Sequence, residues 1–360
     1  MQHAILKTQD TLVVSTLAVA VALGLTLATP SVGLQAVIGF LVVLIAVTSV
    51  PAALYLLIAS MLLSPEVAIG HVHGRGVGGR ELSFRMDDIL LVVIGLSWLV
   101  KNIIYRELAL FRETPLNRPI AAYMVVCVLA TLIGILNGRV NPMTGFFFVL
   151  KYFEYFFVFF MVVNHVRTRH QVVGLVVALL VTGLIISLYA IYQIPSGQRA
   201  TAPFEGETGE PNTLGGYLVF LLAIMTGLLL HIKDGPIRVA LLIMGGIAVL
   251  ALLATLSRSS YLAGAVLLAA VGLTQWRRPR VVSVLLLVVA LIPLLAPDNV
   301  KQRVNETFFG RQYGGEIKVG NVALDLSTTE RLRSWGYVLN DWVHAPLLGR
   351  GVTGYAWADA

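Results

Sequence analysis

Gln171-Val-Val-Gly-Leu-Val-Val-Ala-Leu-Leu-Val-Thr-Gly-Leu-Ile-Ile-Ser-Leu-Tyr-Ala-Ile-Tyr192 runs without a single charged side chain. Wound as an α-helix at about 1.5 Å per residue, a stretch of this kind crosses roughly 30 Å of hydrocarbon. Lipid offers no partner to backbone N–H and C=O groups, and a helix satisfies them internally. Working outward in both directions, similar runs predict helices near 11–29, 32–49, 51–64, 87–104, 119–136, 143–165, 213–232, 237–256, 260–276 and 280–296. The second and third read equally as one unit kinked at Pro51, because proline removes a backbone donor. The run Thr11 to Thr29 is too long for a signal-peptide core and lacks a small-residue cleavage site before the next span, so it reads as a retained helix. Beyond Pro297 the chain turns polar.

Composition agrees. Of the 360 residues 57% are apolar and only 12% charged, and the mean hydropathy is +0.83. A soluble domain is about 25% charged, so this chain lacks the polar surface to be one. The expectation is an all-α, polytopic transmembrane helical bundle of ten or eleven spans over 1–296. A polar extracytoplasmic segment, 297–360, is expected to carry an interfacial amphipathic helix. The one cysteine, Cys127, lies within an apolar run and supports neither a disulfide framework nor a metal site.

Lys and Arg in short loops set orientation. One alternate set of loops holds Lys101, Arg106, Arg112, Arg118, Arg167, Arg169, Lys233, Arg238, Arg277, Arg278 and Arg280, with Lys7 at the N-terminus. The other holds half as many: Arg75, Arg80, Arg85, Arg139, Arg199 and Arg258. The richer set is assigned to the cytoplasm, which puts the N-terminus inside and the polar segment after 297 outside. The net charge of +7 is the same bias and implies no nucleic acid.

Three stretches on the outer side place Arg beside Gly, Pro, Ser or Asn at helix ends. They are Gln198-Arg199-Ala200-Thr201-Ala202-Pro203-Phe204 with Glu210-Pro211-Asn212-Thr213-Leu214-Gly215-Gly216-Tyr217; Thr255-Leu256-Ser257-Arg258-Ser259-Ser260-Tyr261; and Arg331-Leu332-Arg333-Ser334-Trp335 with His344-Ala345-Pro346-Leu347-Leu348-Gly349-Arg350-Gly351. In order, spacing and sidedness they resemble the bacterial O-antigen ligase and O-antigen polymerase family, as do Phe84-Arg85-Met86-Asp87-Asp88 and Lys151-Tyr152-Phe153-Glu154 upstream. The resemblance covers roughly residues 80 to 355. It implies a glycosyltransferase of the bacterial cytoplasmic (inner) membrane that uses an undecaprenyl-diphosphate-linked oligosaccharide on the outer face. Transfer to a glycan, lipid or protein acceptor would be metal-independent and inverting, without a cofactor. Ligase and polymerase share these motifs.

The chemistry suits the residues. A lipid-linked diphosphate lies where helix ends emerge, and a guanidinium matches phosphate oxygens bidentately while staying charged. Arg258, in a short turn, must lie at that depth. Ser327-Thr328-Thr329-Glu330 has capping-box spacing, and Leu332, Trp335, Leu339 and Trp342 follow on one helical face. This predicts a helix lying on the membrane with its tryptophans among the headgroups and Arg331 in its first turn. Arg258, Arg331, Arg199 and Arg85 are therefore the candidate substrate-binding residues. Asn212 and Thr213 are expected to cap the helix at 213–232. Lys151 and Glu154, three apart inside a span, read as a structural ion pair. His71 and His73 are two ligands at most, too few for a metal site.

The family's general base, a histidine beyond the Gly-x-Gly element, would fall past residue 360. His344 occupies a position that the resemblance treats as structural, and relatives carry further closing helices. On this reading the 360 residues are a fragment presenting the donor-side framework. The alternative from another class is a secondary transporter or flippase, which calls for paired broken spans and midplane charge. Here Lys151 and Glu154 are the midplane candidates, and no matching half is visible in the sequence.

Overall fold

The computed structural model describes residues 50–63, 66–71, 81–85, 112–203, 209–279 and 326–354, with shorter pieces at 44, 91–92, 94–95, 282–283, 300–302, 305, 318–319 and 322–323. In chain order the helices are α1 (Val50–Leu63), α2 (Asn117–Leu136), α3 (Pro142–His165), α4 (Arg169–Tyr192, continued by a 3-10 turn, Ile194–Ser196), α5 (Pro211–His231), α6 (Gly235–Ala254), α7 (Arg258–Thr274) and α8 (Leu326–His344). Among the described residues, α2 to α6 are long and apolar enough to cross a membrane; α7 is apolar but shorter. The protein is thus the polytopic helical bundle that its apolar runs call for.

The helices follow the expected spans within two residues at every end from α1 to α7, and their starts come early for a common reason. Hydropathy registers the apolar body, whereas the first turn is polar or proline-bearing. Pro142, Pro211 and Pro236 stand at the first or second helical position, where a missing N–H has no partner to lose. Pro51 likewise falls in the first turn of α1. Asn141 caps α3, its Oδ1 accepting from Met143 N at 3.0 Å and Thr144 N at 3.3 Å, and Asp234 caps α6 through Ile237 N. The spans expected at 11–29, 32–49, 87–104 and 280–296 lie, apart from isolated residues, outside the described residues.

Two short antiparallel hairpins depart from the all-helical reading: β1 (Glu66–His71) with β2 (Glu81–Arg85), and β3 (Lys318–Val319) with β4 (Val322–Ala323). The first lies between α1 and α2 and the second between α7 and α8. Leu82 and Phe84 alternate with polar neighbours in β2, the period-two pattern of a strand.

The chain forms two compact units, Met1–Val176 with Glu330–Ala360, and Val177–Thr329. In the first, Leu54, Leu56 and Leu57 of α1 are buried with Ile94 and Met161, and Phe157, Val162 and Leu175 pack against them. In the second, α5 is the central helix: Leu214, Leu218 and Leu221 are fully buried. Gly183 of α4 lets Leu221 approach so closely that a Cβ there would lie 2.3 Å from Leu221 Cδ2. Small residues at helix crossings are the expected device where lipid removes the hydrophobic drive for association. The opposite faces of α2, α6 and α7 expose Leu, Ile and Val, as a lipid-facing surface does.

Candidate functional site

The turn joining α6 to α7 reverses the chain within three residues, Thr255-Leu256-Ser257, before Arg258 opens α7. Leu256 is left-handed at φ 48°, a conformation that costs a non-glycine residue roughly 1–2 kcal/mol and persists only where its surroundings enforce it. Hydroxyl groups supply that enforcement. Thr255 Oγ1 donates to Leu252 O at 2.7 Å and accepts from Ser257 N at 3.3 Å. Ser257 caps α7, its Oγ accepting from Ser260 N. Tyr261 Oη, one turn on, donates back to Leu253 O at 2.7 Å. Thr255, Ser257 and Ser260 are buried, while Arg258 is half-buried and Ser259 exposed.

A second segment clamps this turn. Arg199 follows the end of α4 and donates through Nε to Thr255 O at 3.1 Å and through Nη2 to Asn212 Oδ1 at 3.3 Å. Ser257 Oγ donates to the same Asn212 oxygen at 2.7 Å. The hydroxyls of Ser259, at 3.1 Å, and Ser260, at 2.8 Å, also lie within hydrogen-bond reach of Ser257 Oγ. Ala200 N adds a backbone bond to Ala254 O. Gly215 admits Ser260 against α5; a Cβ at Gly215 would meet Ser260 Oγ at 2.2 Å and Ser260 Cβ at 2.7 Å. Arg199, Asn212, Ser257 and Arg258 are thereby brought together on one end of this unit.

Asn212 does not cap its helix. The cap position is Glu210, whose side chain makes no capping bond; its carboxylate instead accepts from Thr213 Oγ1 at 3.0 Å. The Asn212 amide is used across the fold rather than along the helix.

Arg331 and Arg85 belong to the other unit. Arg331 is exposed in the second turn of α8, which begins one residue before Ser327. Arg85 ends β2, opposite Glu66 in the hairpin register. The loop after α8 is anchored firmly. Asp341 pairs with Arg350 at 2.6 Å, both side chains about one-fifth exposed (18% and 23%). Gly349, Gly351 and Thr353 have positive φ of 62°, 92° and 68°. Val352 N donates to Thr131 Oγ1 of α2 at 3.4 Å, and that hydroxyl donates to Cys127 O at 2.7 Å. Val140, 3% exposed, fits among glycines, each of whose added Cβ would crowd it: Gly134 at 2.6 Å, Gly145 at 2.7 Å, Gly351 at 3.0 Å and Gly354 at 3.3 Å.

Reading of the sequence passed over Ser257, Asn212, Asp341 and Arg350 as working parts. A signal for the first existed: three serines flank Arg258 between two strongly apolar helices, where unpaired hydroxyls would be costly. Among the described residues no group of three or more His, Cys, Asp or Glu side chains is arranged to hold a metal ion.

Residues 239–360 match the family model described as O-antigen ligase. The match contains the Thr255–Arg258 turn, the Arg331–Trp335 segment and the His344–Gly351 loop, three of the motifs that carried the resemblance. No curated protein and no solved structure matches the chain.

Proposed function

We propose that this chain, which carries an O-antigen ligase domain over residues 239–360, works at the outer membrane boundary as a glycosyltransferase on an undecaprenyl-diphosphate-linked glycan. An acceptor hydroxyl attacks the anomeric carbon, the bond from that carbon to the diphosphate oxygen breaks with inversion, and undecaprenyl diphosphate leaves with the bonding pair. The hydroxyl proton passes to a base, for which the resemblance supplies a histidine and none of the residues above is assigned. No metal takes part.

The observation that carries the reading is the hydroxyl-braced turn that presents Arg258 at the head of α7. A cation at the positive end of a helix dipole is locally unfavourable, yet Arg258 is the first residue of α7, so the dipole and the side-chain charge lie at one helix end. Both favour an anion, and a departing diphosphate is one. Arg331 is the second donor-side cation by its motif. Arg199 is reassigned: with Nε and Nη2 engaged by Thr255 and Asn212, it serves better as a brace than as a phosphate contact. Arg85 stays a candidate for sugar or phosphate contact. The family match does not favour the transport alternative.

The test is reconstitution of the protein in lipid vesicles with a diphosphate-linked glycan donor and an acceptor. Loss of transfer in Arg258→Ala and in Arg331→Ala, with unchanged folding, supports the roles; full turnover in both removes them.

A further inference from the structure

We infer that α8 is a surface-seated helix whose exposed apolar stripe rests in the phospholipid leaflet on the side where α2 meets α3, held there by the loop that follows it. This does not depend on the transfer reading. Trp335, Val338, Leu339 and Trp342 lie at helical spacing on one face, and the tryptophans are 65% and 59% exposed. Arg331 heads the same face, at i, i+4, i+7 and i+11 with Trp335, Val338 and Trp342. Glu330, Arg333, Asn340, Asp341 and His344 occupy the other side, where Arg333 pairs with Glu330 and Asp341 with Arg350.

Two partners of different kinds can cover such a stripe, a leaflet or a second protein surface, and the anchoring loop favours the leaflet. Residues 349–354 pack on α2 at Ala130, Thr131 and Gly134, within the last two turns of that span, which ends at Leu136. The end of α8, His344, is thus separated by only a few residues from the boundary of the bilayer that α2 crosses. Leu347 of the connecting loop is 91% exposed, and Leu132, Ile133 and Leu136 near the end of α2 are exposed as well. Tryptophan favours the headgroup layer, and an arginine at the edge of the stripe meets lipid phosphates there. The glycines and the Asp341–Arg350 pair fix the approach.

The experiment places the full chain in vesicles of phosphatidylethanolamine and phosphatidylglycerol, with Trp335 as sole tryptophan (Trp98, Trp276, Trp342 and Trp357→Phe). Brominated phospholipids labelled near the headgroup should quench Trp335 at least twofold more than those labelled near the chain end, and acrylamide should quench it weakly. Strong acrylamide quenching without a bromolipid effect overturns the proposal. So does protection from both, which indicates a protein partner or a second copy. Should the fourfold variant not fold, Val338→Cys in a Cys127→Ala background, labelled with an environment-sensitive dye, gives the same readout by blue shift and by protection from an aqueous reductant.

Discussion

Gly215→Ala is the smallest change that tests whether the braced turn governs chemistry. The added methyl would stand 2.2 Å from Ser260 Oγ and 2.7 Å from Ser260 Cβ. Rotating the hydroxyl relieves the first contact but not the second, so α5 and the first turn of α7 must part by several tenths of an ångström or more. Overpacking of this kind costs about 1–3 kcal/mol. The part that moves carries Arg258, and a misplacement of about 1 Å at a catalytic group can lower turnover about a hundredfold. The variant should therefore fold, retain donor affinity within a few-fold, and lose between about tenfold and a hundredfold in kcat in the vesicle assay. Ser260→Gly in the same chain removes the obstructing atoms and should restore most of the loss. It also removes the Ser260–Ser257 hydrogen bond, worth about 1 kcal/mol, so recovery should stop roughly fivefold short. The two substitutions must show strong favourable coupling in a double-mutant cycle. Wild-type turnover in Gly215→Ala, or no recovery in the double variant, refutes the link between turn position and transfer.

Arg258→Ala should lower kcat by about 10²–10³, the usual effect of removing one preorganised group facing developing negative charge; Arg258→Lys keeps the charge but not the fork, and steady-state kinetics should place it between the two. Asn212→Ala leaves Ser257 and Arg199 without their shared acceptor, a loss of about 1–3 kcal/mol; kcat should fall with little change in KM, and Arg199→Ala should be nearly non-additive with it. Gly351→Ala combines a φ of 92° with a Cβ 2.8 Å from Ala130 O, so thermal unfolding in detergent should show clear destabilisation, with no such effect at Gly216, which has open space around it. Asp341→Ala removes the carboxylate partner of Arg350; because both groups are about one-fifth exposed, the cost should be about 1–3 kcal/mol, below the ~3–5 of a fully buried pair, and acrylamide should reach Trp335 more readily.

The bundle was legible because its determinants are local. Charge-free runs such as 171–192 need no tertiary information to become helices, and lipid removes every competing backbone arrangement. The hairpins at 66–85 and 318–323 were not legible, since a few residues of strand pattern between polar neighbours carry no lasting signal against loop. The candidate site was legible in part. Arg258 announced itself as a charge confined to a turn between apolar helices. What steadies it did not, because Arg199, Asn212 and Ser257 are separated by 13 and 45 positions and meet only after α5, α6 and α7 have packed. An asparagine after proline at a helix start reads as a cap by every local rule; its diversion to Ser257 and Arg199 is a tertiary choice.

That diversion bears on how four arginines of similar sequence setting come to differ in use. Arg199 and Arg258 lie on one end of one compact unit, but Arg199 donates to a backbone carbonyl and an amide oxygen, while Arg258 is the first residue of a helix capped by Ser257. A cation committed to holding a strained turn cannot also follow charge that moves from sugar to diphosphate during transfer; its hydrogen bonds are equally strong before and after. Only interactions that strengthen toward the transition state raise the rate. On the proposed function, Arg199 belongs to the machinery that fixes geometry and Arg258 to that which meets charge. The kinetic consequence separates them: Lys at 199 should fail as badly as Ala, because the fork is what it uses, whereas Lys at 258 should retain a measurable part of the rate. If Arg199→Lys behaves like wild type while Arg258→Lys is dead, the two roles have been assigned in the wrong order.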